Sequence, residues 1–111
     1  MEERFWCPYF GTYVALTDER VAHMHNGHPE VSRLDSGTFG EVIGDPDTIM
    51  SRSDGSVLFV REAVSSGARH WHVVAVRRGT SNDDPAKLRH WVVTAWTTRR
   101  PGAWSILWTR T

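Results

Sequence analysis

The residues best suited to acid-base chemistry lie close together between positions 23 and 28. His23, His25 and His28 fall within six residues, at or just beyond the C-terminal end of a predicted helix. The carbonyl end of a helix carries partial negative charge, which stabilises a protonated imidazole. Two histidines that titrate near neutral pH can act as base and acid in the two proton transfers of RNA cleavage, because RNA supplies its own 2′-hydroxyl nucleophile.

Two other interpretations of these histidines stay open at this point. They can be polar surface and capping groups without a chemical role. Together with His70 and His72, which alternate on one predicted strand, they can also bind Zn²⁺. The familiar zinc spacings, HExxH among them, do not occur in the sequence, so we predict no metal and no other cofactor.

An arginine and a threonine on predicted strands are the candidates for phosphate contact. Arg61 continues the apolar row of Val57 and Phe59, and in such a place it requires an anion, either a phosphate or an internal carboxylate. In the strand predicted over residues 90–98, alternation places one set of side chains on a common face: His90, Val92, Thr94, Trp96 and Thr98. On that face the hydroxyl of Thr94 can bond a phosphate oxygen and the indole of Trp96 can stack on a base, although both residue types are also ordinary in strands.

Two short helices are predicted in the N-terminal half, after a β-prone segment at residues 11–16. Thr17 offers a capping hydroxyl with acidic residues directly after it, so a helix starts there and runs to about Asn26. The segment Thr38-Phe39-Gly40-Glu41 matches a capping box and predicts a second helix, which Asp45-Pro46 ends.

The rest of the chain has the alternation and turn residues of strands. We predict strands over residues 48–52, 57–62, 70–78, 90–98 and 105–109. Helices followed by hairpin-spaced strands predict one α+β domain over residues 1–111, with short N-terminal helices packed against a four- to five-stranded antiparallel sheet.

Composition bounds the class of protein. The chain has 111 residues with 40% hydrophobic content, sufficient for one core, and a net charge of zero. Residues 1–56 hold ten acidic and four basic side chains, whereas residues 57–111 hold three acidic and nine basic ones. A basic binding face and an attraction between the two halves both account for this asymmetry. The single Cys7, read as buried, and the lack of a long apolar run predict a cytoplasmic protein without a membrane span.

The order of these segments resembles a family of phage-associated nucleases, grouped with the barnase, EndoU, colicin and RelE ribonucleases in the BECR fold. The matching segments cover most of the chain: Leu16-Thr17 to Arg20, His23-Met24, His28-Pro29-Glu30, Val42-Ile43, Asp45-Pro46-Asp47-Thr48-Ile49, Phe59-Val60-Arg61, Val73 to Val76, and Val92-Val93-Thr94-Ala95-Trp96. The resemblance implies a BECR-like fold with the active site on the open sheet face beside the histidines. It also implies His23 and His28 as acid-base residues, Arg61 as phosphate ligand and Thr94 as hydroxyl donor.

We therefore expect a metal-independent endoribonuclease of toxin or phage type, which cleaves RNA by 2′-hydroxyl transesterification. RNA contacts are assigned to five further residues: Trp96, His72, Arg78, Arg99 and Arg100. The alternative is a noncatalytic module that binds RNA or a protein through the same fold. RNA is the expected partner, and an antitoxin or immunity protein and a homodimer are the other partners considered.

Overall fold

The computed structural model describes residues 3–27, 36–65, 67–80, 88–100, 102 and 104–110. Within these residues the chain forms seven strands and two helices. In chain order they are β1 (Glu3–Cys7), β2 (Thr12–Leu16), α1 (Asp18–Gly27), α2 (Ser36–Gly44), β3 (Thr48–Ser51), β4 (Val57–Ser65), β5 (Ala68–Thr80), β6 (Leu88–Thr98) and β7 (Ser105–Thr109).

These strands form one mixed sheet with the order β1-β2-β6-β5-β4-β3-β7. Neighbouring strands pair antiparallel except β2 and β6, which pair parallel at Ala15 and Trp91. The predicted fold class, an α+β domain with helices packed against a four- to five-stranded antiparallel sheet, is therefore wrong. The described chain is mostly sheet with two short helices, because an N-terminal hairpin extends the sheet beyond β6.

The unexpected part of that hairpin is β1. The alternation of buried and exposed side chains that marks a strand is short in β1. Only Phe5 and Cys7 are buried, while Glu3, Arg4 and Trp6 are exposed. The turn into β2 is closed by a hydrogen bond of 2.8 Å, in which the Gly11 N–H donates to the Cys7 carbonyl. Cys7 is fully buried, as predicted, and burial raises the pKa of its thiol.

The two helices begin where capping groups allow. The Thr17 hydroxyl accepts the Arg20 N–H at 3.3 Å, which confirms Thr17 as the cap of α1. α2 begins at Ser36, so Thr38 lies inside the helix and the predicted capping box is wrong. Its predicted apolar stripe, Phe39, Val42 and Ile43, is buried. Neither of the described helices is long and apolar enough to cross a membrane.

The two faces of the sheet carry separate buried clusters. On one face, here called the helix face, the apolar side chains of α2 pack with residues that include Phe59 and Val74. On the opposite face, the far face, a second cluster is flanked by half-buried Trp71 and Trp96, and its members are Met50, Leu58, Val60, Val73 and Ala75. Alternation along β4 confirms that Arg61 follows Phe59 on the helix face.

A β-bulge in β6 changes which of its side chains share a face. Ala75 pairs with Thr94 but Val76 pairs with Val92, so Val93 is an extra residue without a partner across the ladder. As a result, His90 and Val92 lie on the helix face, whereas Thr94 and Trp96 lie on the far face. The prediction that these residues share one face is wrong, since alternation continues through a strand only when no residue is added.

His90 is a buried imidazole in this arrangement. It is 8% exposed, its ring centroid lies 4.4 Å from that of Phe10, and its Nδ1 has no hydrogen-bond partner among the described residues. Burial, and secondarily the charge of Arg78, lower the pKa of His90. The folded protein therefore holds this imidazole neutral at a pH where the unfolded chain is already protonated.

This difference predicts acid-sensitive stability. The contribution of His90 is present above its unfolded pKa of about 6.5 and is lost as the pH falls through the folded value. His90→Phe removes the titrating group and keeps an aromatic ring against Phe10. Between about pH 7 and pH 5 we expect the melting temperature of the variant, measured by circular dichroism, to fall less than that of the wild type. An equal loss in both proteins would contradict the assignment.

Candidate active site

Arg61 is held on the helix face by carboxylates from the end of α2. Its Nη1 donates to Asp45 Oδ2 at 3.0 Å and to the Asp45 carbonyl, and its Nε lies 3.9 Å from Glu41 Oε2. The side chain keeps 31% of its surface exposed. The internal carboxylate that the sequence left open as a partner is thus present, and part of the arginine side chain stays accessible.

Asp45 joins Arg61 to a second arginine, Arg110, which directly follows β7. The two oxygens of this carboxylate accept from different guanidinium groups, Oδ1 from Arg110 and Oδ2 from Arg61. These hydrogen bonds, first from Arg110 and then from Arg61, lower the pKa of Asp45. Arg110 also donates through Nε to Asp47 Oδ1 at 3.2 Å. The connection between α2 and β3 is therefore fixed to both β4 and β7.

Directly across the sheet from Arg61 lie an imidazole and a hydroxyl. Arg61 on β4 pairs with His72 on β5, and His72 pairs with Thr97 on β6. Direct cross-strand partners have Cα atoms about 4.5–5.5 Å apart, so the three side chains form one row on the helix face, here called the cross-strand row. Within it, His72 Nδ1 and Thr97 Oγ1 are hydrogen-bonded at 3.2 Å.

A second imidazole lies beside the row. His70 is two residues before His72 on the same face of β5, and their ring centroids are 5.3 Å apart with the rings nearly perpendicular. Burial lowers the pKa of His72, and the charge of His70 lowers it further, whereas Glu41 raises it. The arrangement thus disfavours the protonated form of His72.

The structure describes the side chains of two of the four predicted catalytic residues, and these two lie on opposite faces of the sheet. Arg61 lies in the cross-strand row. Thr94 lies on the far face, so the sheet itself separates its hydroxyl from Arg61. His23 lies in α1, where its side chain is outside the described part of the chain, and His28 lies outside the described residues altogether. Their meeting with Arg61 stays a prediction.

The predicted RNA contacts are similarly spread. His72 lies in the cross-strand row, and Trp96 lies on the far face against Arg52, whose guanidinium carbon is 5.5 Å from the indole centroid. Arg78 lies six residues along β5 from His72, a separation of about 20 Å along a strand. Arg99 and Arg100 are exposed and directly follow the end of β6 that carries Thr97.

Sequence reasoning missed Thr97, and it considered His70 beside His72 only as a possible metal ligand. The spacing of the two histidines on one strand was a usable signal, since it puts both on one face. Thr97 carried no comparable signal. Its position opposite His72 depends on strand register, and its face depends on the bulge at Val93.

A pocket opens on the helix face next to Asp45. Its volume is about 420 Å³, and its walls come from the β1–β2 turn, the α2–β3 connection, β3 and β7. The lining residues are Pro8, Tyr9, Ile43, Gly44, Asp45, Pro46, Ile49, Trp108 and Arg110. Asp45 therefore belongs to the pocket and to the ion pair with Arg61 at the same time.

Comparisons with protein families, curated proteins and solved structures found no match to this chain. The resemblance to BECR nucleases stays a prediction. Among the residues that the structure describes, no group of three or more His, Cys, Asp or Glu side chains is arranged to hold a metal ion. The side chains of His23, His25 and His28 lie outside the described part of the chain, so this statement does not cover them.

Proposed function

We propose that the chain is a metal-independent endoribonuclease whose active site is the cross-strand row with His70. The observation that carries the proposal is the direct pairing of Arg61 with His72 on one sheet face, with a second imidazole 5.3 Å from His72. Two imidazoles and a guanidinium are sufficient for phosphodiester transesterification, because the substrate contributes the nucleophile.

In this mechanism His72 is the base and His70 is the acid. The step requires the tautomer of His72 in which Nδ1–H donates to Thr97 Oγ1, 3.2 Å away. Nε2 then keeps its lone pair and accepts the proton of the ribose 2′-hydroxyl. The 2′-oxygen attacks phosphorus, and the bond to the 5′-oxygen breaks as His70 gives that oxygen a proton. The products are a 2′,3′-cyclic phosphate and a 5′-hydroxyl end, and one proton has moved from His70 to His72.

Arg61 stabilises the charge that builds on the phosphate oxygens. The exposed part of its guanidinium can donate to an oxygen of the phosphorane, and a guanidinium already oriented by Asp45 need not reorganise during the reaction. Asp45 is then a positioning residue. The hydroxyl that lies on the same face as Arg61 is that of Thr97, so we assign to Thr97 the role that the sequence gave to Thr94.

The direct test uses a short single-stranded RNA and the purified full chain in the presence of a chelator. We expect cleavage with 2′,3′-cyclic phosphate ends, identified by mass spectrometry of the products. A matched oligonucleotide with 2′-deoxyribose at the cleaved position is expected to stay intact, because it lacks the nucleophile. Cleavage of the deoxy substrate, or cleavage that stops with chelator, would contradict the mechanism.

The alternative function is RNA binding without cleavage, and one observation on the far face favours it. The Arg52 guanidinium carbon lies 5.5 Å from the ring centroid of Trp96 and 5.7 Å from that of Trp104. Arginine and tryptophan side chains on one surface are a platform on which bases stack. The same assay separates the two functions: a binding module would retain RNA with steep salt dependence and leave it intact.

We place either activity in the cytoplasm, since the buried Cys7 thiol is unpaired and fits a reducing compartment. An antitoxin or immunity protein as partner, and a homodimer, stay predictions.

A further inference from the structure

We propose that the pocket beside Asp45 binds one nucleobase of the RNA substrate, next to the phosphate held by Arg61. The inference rests on the proposed ribonuclease function and adds a substrate subsite to it. It names the pocket as the place where the enzyme holds the base of a nucleotide that flanks the cleaved bond.

The walls of the pocket suit a flat aromatic ring. Ile43 and Ile49 are 0% and 1% exposed and form an apolar floor, whereas Tyr9 and Trp108 line the same pocket while 43% and 40% exposed. Exposed aromatic side chains around an apolar floor gain contact area when a planar ring enters. Base–aromatic stacking is worth about 1–3 kcal/mol per base and is available to all four bases.

Asp45 connects the pocket wall to the cross-strand row. Asp45 lines the pocket and accepts from Arg61, so the arginine proposed to hold the phosphate is one hydrogen bond away from the pocket wall. Arg110 lines the pocket and binds the same carboxylate. A nucleotide with its base among Tyr9 and Trp108 thus has its phosphate on the side where the two guanidinium groups lie.

Charge around the pocket favours a neutral ring over a charged ligand. Arg61 and Arg110 are matched by Asp45 and Asp47, with Glu41 as a further carboxylate near Arg61. A free anion entering the pocket would find its cations already paired. An uncharged base does not compete with these carboxylates, and the attached phosphate would contact Arg61 only through the part of its side chain that stays exposed.

The test follows the indole N–H signals of the ¹⁵N-labelled full chain during titration with nucleoside 3′-monophosphates. We expect the Trp108 signal to shift and the signal of Trp6, exposed on the opposite edge strand, to stay in place. Ribose 5-phosphate, which has no base, is expected to leave Trp108 unchanged. An unmoved Trp108 signal, or an equal shift with ribose 5-phosphate, would overturn the proposal.

The two tyrosines of the chain provide a matched pair of variants. Tyr9→Ala is expected to weaken nucleotide binding by about 5- to 150-fold, whereas Tyr13→Ala, which removes a ring 56% exposed on β2 and outside the pocket, leaves binding unchanged. Equal effects of both substitutions would sink the assignment. The Trp108 signal in the unmodified chain gives the answer even if Tyr9→Ala fails to fold.

An RNA with one abasic nucleotide beside the cleaved bond distinguishes this proposal from the proposed function. If the wild type cuts intact RNA, and abasic substitution on either side of the bond changes nothing, the pocket inference fails alone. If nucleotides shift Trp108 but RNA is never cut, the ribonuclease function fails and base binding stands.

Discussion

Replacing His72 by Ala is expected to lower the rate of RNA cleavage by about 100- to 10,000-fold, the usual contribution of a positioned general base. The reason is geometric, since His72 lies between Arg61 and Thr97, and burial also lowers its pKa. Single-turnover rates at saturating RNA measure the effect on the chemical step. His90→Phe is the matched control, because it removes another imidazole on the helix face and leaves the cross-strand row unchanged.

Two further variants separate His72 from the histidines of the α1 region. His23→Ala and His28→Ala should leave the rate near that of the wild type if the base and acid are His72 and His70. A large loss in His28→Ala with little change in His72→Ala would move the acid-base pair to that segment. Thr97→Val, which keeps the side-chain shape and removes the hydroxyl, is expected to shift the pH–rate profile with a smaller loss of rate than His72→Ala.

Arg61→Ala is expected to reduce the cleavage rate by about 100- to 1,000-fold, as removal of one donor to a developing oxyanion usually does. Arg61→Lys should recover only part of this loss, because an ammonium group lacks the planar pair of donors. The fold should persist, since Arg110 still binds Asp45 and Asp47 after the substitution. Steady-state kinetics measure the cleavage rate of each variant, and thermal melts of the same variants measure the stability of the fold.

Arg69→Ala is the control for Arg61. Arg69 lies on the neighbouring strand and pairs with Glu62 at 2.7 Å, with 69% of its side chain exposed. The Arg69→Ala substitution removes one positive charge, as Arg61→Ala does, but it leaves the cross-strand row intact. Equal loss of activity in both variants would show that overall charge, not the position of Arg61, supports cleavage.

The local parts of this fold were predictable because they depend on neighbours in sequence. The Thr17 hydroxyl capped α1 as predicted, and alternation gave the strands that became β3 to β7 within a few residues of their ends. The turn between β3 and β4 is likewise local, since Asp54 Oδ1 accepts the Ser56 N–H at 2.9 Å.

The predictions that were wrong concern which segments, distant in sequence, lie next to each other in the fold. The parallel contact of Ala15 with Trp91 joins the N-terminal hairpin to β6, and no local pattern specifies it. The same holds for the site. The face of Arg61 followed from alternation, but its pairing with His72 follows from register, and the bond between Asp45 and Arg110 spans 65 residues. Residue types in the sequence could identify these residues as candidates, but they could not predict that the residues lie side by side.

The bulge at Val93 also bears on how this strand can change over time. With that residue in place, β6 sends His90 and Val92 to the helix face, and Thr97 reaches the same face farther along. Loss of one residue there would invert one half of the strand relative to the other, either exposing part of the core or carrying Thr97 away from His72. A change in the length of β6 by one residue would therefore disrupt either the packing of the interior or the cross-strand row.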